Sequence, residues 1–515
     1  MAIHFLPDFG VLIRLADVDM SYEQAARDSE HAPVDIYSRV FDMPEQTLPN
    51  AWADMPAKGR HYIPLSFEGT RQHFGLDGEG NVFRNRTWIN RLPGRDTERC
   101  HWRGDEIWCT FGLPSEAMKD RTLVDGCLPM TIATWEREGI RYTQTAFAAP
   151  LAGVPVEGER VKADEPMGLY VRFTFEPVTS VPACAHLRIE SSDKEGAEPL
   201  ALQEKAIVAG DYIRAIVSDT KGFSTNNNAV DFQLDLMPDA SSVSLDLVIP
   251  FITLRKDDPE MGMVLPIRFD RIFDEVRSYW RNRIASGARI HTPENMINEF
   301  YDAHVLHLLI NTEREVTGSL RYMARVGTFG YGVFANEACM MVTDLDRRGF
   351  HKRAEEAIET WLHYQGKRHL PGDYRDADGV FYSAGGYEDD NGYNQHHGWV
   401  LWCIGEHYWY TRDDEWLARA KPHILKACAW ITRERKRTVD QAAQSSLRAI
   451  EYGLLPPGSL EDIADWRCWL SNNVYAWWGM DNAARALKIA GHAEADSLLA
   501  EADAYRKDIR AAFTE

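Results

Sequence analysis

The chain predicts a multidomain β-plus-α protein: an N-terminal antiparallel β-sandwich, a linker helix, and a C-terminal toroid of helical hairpins. Three features of the sequence carry this expectation. Apolar and polar residues alternate strictly in runs up to about residue 265, the pattern of strands with one buried and one wet face. Asp270–Ile284 then changes period, with Ile272, Phe273, Val276, Trp280 and Ile284 forming one helical stripe. From Pro293 onward apolar residues recur at spacings of three and four, in pairs of segments joined by tight turns. The boundaries that follow are 1–268 for the sandwich, 269–292 for the linker and 293–515 for the helical domain.

Taken in order, Leu169–Glu176 alternates Val171, Phe173 and Phe175 against Arg172 and Thr174, and Ser242–Leu254 repeats the pattern. Leu128–Arg137, Ile140–Ala148, Ala206–Val217 and Val230–Leu236 are further strand candidates, bounded by Gly, Pro, Asp or Asn. A hairpin is expected to turn at Asp77–Gly80. In the helical part, hairpins span Asn336–Gln365, Gln395–Arg437 and Asn473–Phe513, with tight turns near Gly349, Asp413 and Gly491. Turn spacing of this length and unevenness excludes the short tetratricopeptide or ankyrin period.

The balance of 57 basic against 78 acidic side chains gives a net charge of −21. No basic stripe interrupts it, which argues against nucleic acid as a partner. No window approaches the roughly 20 apolar residues of a membrane span. The eight cysteines are scattered without metal-ligand spacing, and the first residues lack the signal-peptide pattern. Reduced thiols and a cytoplasmic location are expected, or a periplasmic or secreted one if a leader is missing from this chain. No cofactor is expected. DYRDADG lacks the terminal Glu of a calcium loop, and the adjacent His396 and His397 lack the spacing of a zinc helix, so no metal is expected either.

A hairpin with a tight turn at one end sends its flanking long loops out at the other. Those around Gln395–Arg437 are GGYEDDNGYNQ and GLLPPGSLEDIADWRCWLSNN. Carboxylates, amides and indoles gathered at one mouth suit a carbohydrate, whose hydroxyls need hydrogen bonds and whose ring face is apolar. An oligosaccharide or glycoside is therefore the expected partner.

The segments NEACMMVTDLDRRGFHKRAEEAIETWLHYQG, NQHHGWVLWCIGEHYWYTRDDEWLARAKPHILKACAWI and YGLLPPGSLEDIADWRCWLSNNVYAWWGMDNAARAL, following strands and a linker helix, resemble the six-hairpin (α/α)6-barrel glycosidases. Glucoamylases, rhamnosidase-like enzymes and disaccharide phosphorylases belong to that broad group. The resemblance implies a toroid of twelve helices, of which about seven are present here, so the toroid is expected to be incomplete. Tyr505, Ile509 and Phe513 would then be less buried than their pattern demands. In the glucoamylase-like members the general acid follows the fifth helix, where Glu461 stands by helix count; the general base would lie beyond Glu515.

Cleavage of a glycoside with inversion needs one protonated and one ionised carboxyl. SLEDIAD supplies Glu461, Asp462 and Asp465 as catalytic candidates, beside Trp466; the competing reading is that Ser459 and these acids cap a short helix. Glu388, Asp389, Asp390, Asn391, Tyr393, Gln395, Trp466, Glu337 and Arg325 are candidates for substrate binding. Glu337 has a structural alternative as a first-turn acid on its helix dipole. The leading expectation is an inverting glycoside hydrolase. A disaccharide phosphorylase using Arg325 or Arg467, a polysaccharide lyase, and a non-catalytic glycan-binding fragment stay open.

Overall fold

The computed structural model describes residues 4–6, 11–13, 62–84 and 107–514, apart from 157–159, 162–164, 194–195, 253, 265, 316–320, 328–332, 384–392, 445–448 and 462. The chain divides into two compact units, Met1–His61 and Tyr62–Glu515. In the first, His4–Leu6 pairs antiparallel with Val11–Ile13. Everything below concerns the second unit.

Its N-terminal part is built of antiparallel sheets. One runs Leu200–Gln203, Ala206–Ala209, Tyr212–Val217, Val243–Pro250, Met167–Pro177, Ile140–Pro150, Met130–Arg137, Met118–Leu123. The other runs Phe223–Asn226, Ala229–Leu236, Ala183–Asp193, Ile107–Thr110, Val82–Arg84, Phe74–Leu76, Ile63–Leu65. Alternation places Val171, Phe173 and Phe175 in the core while Arg172 and Thr174 stay partly exposed. Phe175 meets Phe232 of the other sheet with ring centroids 5.3 Å apart. The hairpin expected at Asp77–Gly80 is present. One strand expectation needs correction, and one strand was missed. Ala206–Val217 is two strands, folded back at Gly210 with φ +60°, and Ala183–Asp193 is a strand its weaker alternation had hidden.

Helix α1 (Phe269–Ala285) lies where the linker helix was expected, and its apolar stripe packs on the sheets through Phe147–Phe269 and Phe67–Trp280 contacts. Seven helices follow among the described residues: α2 (Asn295–Ile310), α3 (Ala335–Arg347), α4 (His351–Tyr364), α5 (Asn394–Thr411), α6 (Asp414–Ala442), α7 (Leu470–Ile489) and α8 (Ala495–Thr514). Short turns join α3 to α4, α5 to α6 and α7 to α8. Gly349 and Gly491 take left-handed φ of +82° and +78° there, and Asp413 caps α6 by accepting the Trp416 N–H at 2.8 Å.

Helices α3, α5 and α7 lie side by side and parallel. Asn336 meets His396 near the start of α3 and α5, and Asp346 meets His407 near their ends. Between α5 and α7 the approach is almost backbone on backbone: a Cβ on Gly398 would lie 2.3 Å from the Tyr475 carbonyl. No side chain could stand there without driving the helices apart. The long loops therefore all precede α3, α5 and α7, at one common end.

The expectation of an all-helical second half is corrected by two small hairpins. Thr312–Arg314 pairs with Tyr322–Ala324, and Gly458–Leu460 with Ile463–Arg467. Tyr505 and Ile509 are also not under-buried. Tyr505 is fully enclosed, its hydroxyl donating to Asn473 Oδ1 at 2.7 Å with the Arg435 guanidinium 4.0 Å above its ring. These residues face α6 and α7; Phe513 alone of the three is exposed. Among the described residues the cysteines are free thiols, and no helix is long and apolar enough to cross a membrane.

Candidate active site

The first turns of α3, α5 and α7 converge with the Gly458–Leu460/Ile463–Arg467 hairpin. The hairpin is sewn down at its root. Ser459 N–H donates to Pro371 O at 2.9 Å, and Ser459 O accepts from Asn394 Nδ2 at 2.6 Å and Asn472 Nδ2 at 3.0 Å. SLEDIAD thus opens no helix. Leu460 pairs with Ile463, which leaves Glu461 in a two-residue turn with φ +47°. A non-glycine residue in that region is strained, and the hairpin pairing and the Gln395 hydrogen bond hold Glu461 there against that cost. Its Oε1 accepts a 2.9 Å hydrogen bond from Nε2 of the buried Gln395. The Gln395 amide oxygen has no hydrogen-bond partner among the described residues.

Glu337, in the first turn of α3, stands at the same end as Glu461. Partial burial, and then the negative charge of Glu461, raise it above the ordinary carboxylate range; hydrogen bonds from its own backbone N–H and from the Asn336 side chain act against that shift. Tyr393, the residue before α5, stacks against Phe334 at 5.8 Å. Trp466 remains 52 % exposed, so its indole face is free for a ligand. Beneath the mouth, burial holds His396 and His397 neutral, both pushed down to about 3.

Of the sequence candidates, Glu337, Gln395, Tyr393 and Glu461 come together here. Asp465 does not join them: it is exposed and ion-paired with Arg467 at 2.6 Å. Arg325 is taken up by a buried acid. It is buried and pairs with Glu313, which also takes Arg71 at 2.9 Å and His73 at 3.2 Å. Burial alone would raise the Glu313 carboxyl, but the two guanidiniums and His73 bring it down to about 2. Arg325 thus shares a buried acid with Arg71 and His73 and helps to bind the sheets to the helical part. Glu388, Asp389, Asp390, Asn391 and Asp462 lie outside the described residues. The acids of DYRDADG are taken up by α6, Asp373 by Arg437 and Asp376 by Arg433.

Asn336 and the hydrogen-bonding role of His396 toward it escaped sequence reasoning. The available signal was positional, since both sit at starts of helices whose N-termini share one end.

Antiparallel sheets followed by helical hairpins, three of whose helices pack in parallel, define a multidomain β-plus-α fold. In particular, the chain is similar to a crystal structure of bacterial glucoamylase complexed with acarbose, with TM-score 0.50, 9 % identity, and coverage of 88 % of this chain and 68 % of that one. At that identity the likeness is one of fold. No protein-family model and no curated protein matches the chain.

Proposed function

We propose that the chain is a carbohydrate-active enzyme of the inverting glycoside hydrolase class, with its site at the common N-terminal end of α3, α5 and α7, and that these helices belong to an (α/α)6 toroid. The observation that carries the reading is the Glu461 carboxyl held by buried Gln395 at 2.9 Å, at the end of the helices where Glu337 starts α3. Two carboxyls with different surroundings are what acid–base cleavage of a glycoside requires.

In this reading Glu337, which keeps its proton to higher pH, donates to the departing glycosidic oxygen. Glu461, held by the Gln395 N–H, takes a proton from the attacking water as the bond to the anomeric carbon breaks. This exchanges the role that helix count assigned to Glu461. Trp466 and Tyr393 offer apolar faces to the sugar, and the open Gln395 oxygen can accept from a hydroxyl. A phosphorylase would need a cationic pocket, and both arginines considered for it are engaged, Arg325 by Glu313 and Arg467 by Asp465.

The test is cleavage of a panel of 4-nitrophenyl glycosides and unactivated disaccharides, with the product anomer followed by NMR. Glu337→Gln and Glu461→Gln should each lower turnover of disaccharides by roughly 10²–10⁴-fold. Glu337→Gln should spare the nitrophenyl substrates, whose leaving group needs little protonation. If Glu461→Gln spares them instead, the two roles are reversed. Sugar phosphate, an unsaturated product, or binding without turnover would replace the hydrolase reading altogether.

A further inference from the structure

We propose that α5 and α7 together carry a binding lane for an oligosaccharide: an aromatic wall of Trp399, Trp402, Tyr475 and Trp478 that continues from the mouth toward Glu406. The inference rests on the mouth being a carbohydrate site, and adds the substrate class, a glycan of several units rather than a disaccharide.

The wall follows from how closely the two helices approach. Gly398, Gly405 and Gly479 form a seam without side chains. A Cβ on Gly479 would lie 2.3 Å from the Gly398 carbonyl, and one on Gly405 would lie 2.8 Å from Asn482 Nδ2. With the backbones that near and parallel, residues at matching heights meet across the seam. Trp399 meets Tyr475 with ring centroids 4.9 Å apart, and Trp402 meets Trp478 at 4.8 Å. One turn further on, Glu406 Oε1 accepts from Asn482 Nδ2 at 3.0 Å. The offset in sequence is the same for all three pairs, so the helices run in register.

On α5 the stripe is Gln395, Trp399, Trp402 and Glu406, at the spacings of one helix face. Its top already belongs to the mouth, since Gln395 holds Glu461 at 2.9 Å. Its foot is polar too: Asn482 accepts the Trp409 N–H at 2.6 Å, which fixes the amide that holds Glu406. Between them lies about 16 Å of helix, longer than one sugar ring.

This face differs from the packing face of α7. There Ala476, Ala483, Ala486 and Leu487 are small or aliphatic, and sealed. On the wall, Tyr475, Trp478 and Glu406 keep part of their surface in solvent, and Trp399 and Trp402 are each 8 % exposed. Flat rings bracketed by an amide and a carboxylate suit a sugar chain, whose ring faces are apolar and whose edges carry hydroxyls. An apolar helix laid on the same face would bury the Glu406 carboxylate without a partner, a cost that a hydroxyl-bearing ligand avoids.

The experiment titrates intrinsic tryptophan fluorescence with oligosaccharides of α-1,4-glucan, β-1,4-glucan and β-1,4-xylan, from disaccharide to hexasaccharide, and needs no turnover. In at least one series affinity should rise with chain length. Trp478→Ala should cancel that rise, weakening the longest ligand roughly tenfold and leaving the disaccharide unchanged. Trp478→Phe, which keeps a flat ring, should retain most of it. Tyr475→Ala should act as Trp478→Ala does, and keeps the test open if the latter fails to fold. Where the chain cleaves the same series, KM should carry the length dependence and kcat should not. Affinity independent of length in all three series overturns the lane, as do Trp478→Ala and Tyr475→Ala variants that bind long ligands as wild type does. So does a shift from dimer to monomer in sedimentation of Trp478→Ala with no effect on glycan binding, which would make the face a contact with a second copy. Length-dependent binding by a chain that cleaves none of these glycans leaves the lane standing and overturns the hydrolase reading. Cleavage without length dependence does the reverse.

Discussion

The two ends of α5 carry similar residues in opposite states. At its C-terminal end, the buried His407 lies against Asp346, Nδ1 to Oδ1 at 3.0 Å and to Oδ2 at 2.9 Å, and His351 adds a further contact at 2.9 Å. Charge meets a partner there, and the turns around it are capped. At the N-terminal end, among the described residues, the imidazoles of His396 and His397 meet no carboxylate and the Gln395 oxygen is open, while Glu337 feels the negative charge of Glu461. The C-terminal end is arranged for stability; the N-terminal end leaves interactions unused, as a binding site must.

Acid should break this contrast most strongly. His396 and His397, neutral in the fold and lowered to about 3, and His307, lowered to about 4 by burial, take up protons only on unfolding. Because their folded values lie below the unfolded one, the stability they contribute is present above about pH 6.5 and is lost as pH falls toward 3 to 4. The loss should reach a few kcal/mol in total. Hydrogen exchange at pH 4.5 against pH 7 should show protection falling at the start of α5 before its end. Equal loss at both ends would remove the distinction.

Substitution should strike the other end. Asp346→Ala leaves His407 and His351 without their acceptor inside a packed turn, and should cost about 3 kcal/mol in urea unfolding. Exchange should rise around residues 346–351 and 407–413, with ligand binding at the mouth largely retained. A stability loss under about 1 kcal/mol would mean the cluster is incidental.

Much of this contrast was legible in sequence, and the reason is local. Alternation in Leu169–Glu176, the stripe of α1 and the turns at Gly349, Asp413 and Gly491 depend on residues within a few positions of one another. That the long loops share one end follows from the same turns. What escaped depends on distant pairing. Arg325 is buried because Glu313 also gathers Arg71, 242 residues from Glu313 in sequence, and no local pattern shows that. Glu461 was visible as an acid, but its turn contains neither glycine nor asparagine, so the hairpin beneath it was not. Nor does any local pattern show that Glu337, from a helix more than 120 residues earlier, stands at the same end as Glu461.

The smallest expected effect is the most discriminating. Glu337 has a folded pKa raised by partial burial and by Glu461, so it favours the folded state when protonated. That contribution is fully present below its unfolded value, near 4.3 for a free glutamate, and disappears as pH rises through the higher folded value. Above it, two like-charged carboxylates oppose folding, weakly because both are open to solvent. Glu337→Gln removes the repulsion and keeps a polar side chain of the same shape. Urea midpoints should therefore be equal for the two proteins near pH 4 and slightly higher for the variant at pH 7, a gain of a few tenths of a kcal/mol. The same substitution should abolish most turnover of disaccharides. A residue that lowers stability where it is ionised and is needed there for turnover is retained for chemistry rather than for the fold. If Glu337→Gln instead weakens the protein at pH 7, Glu337 is a helix-start acid serving the α3 dipole, and the mouth loses one of its two carboxyls.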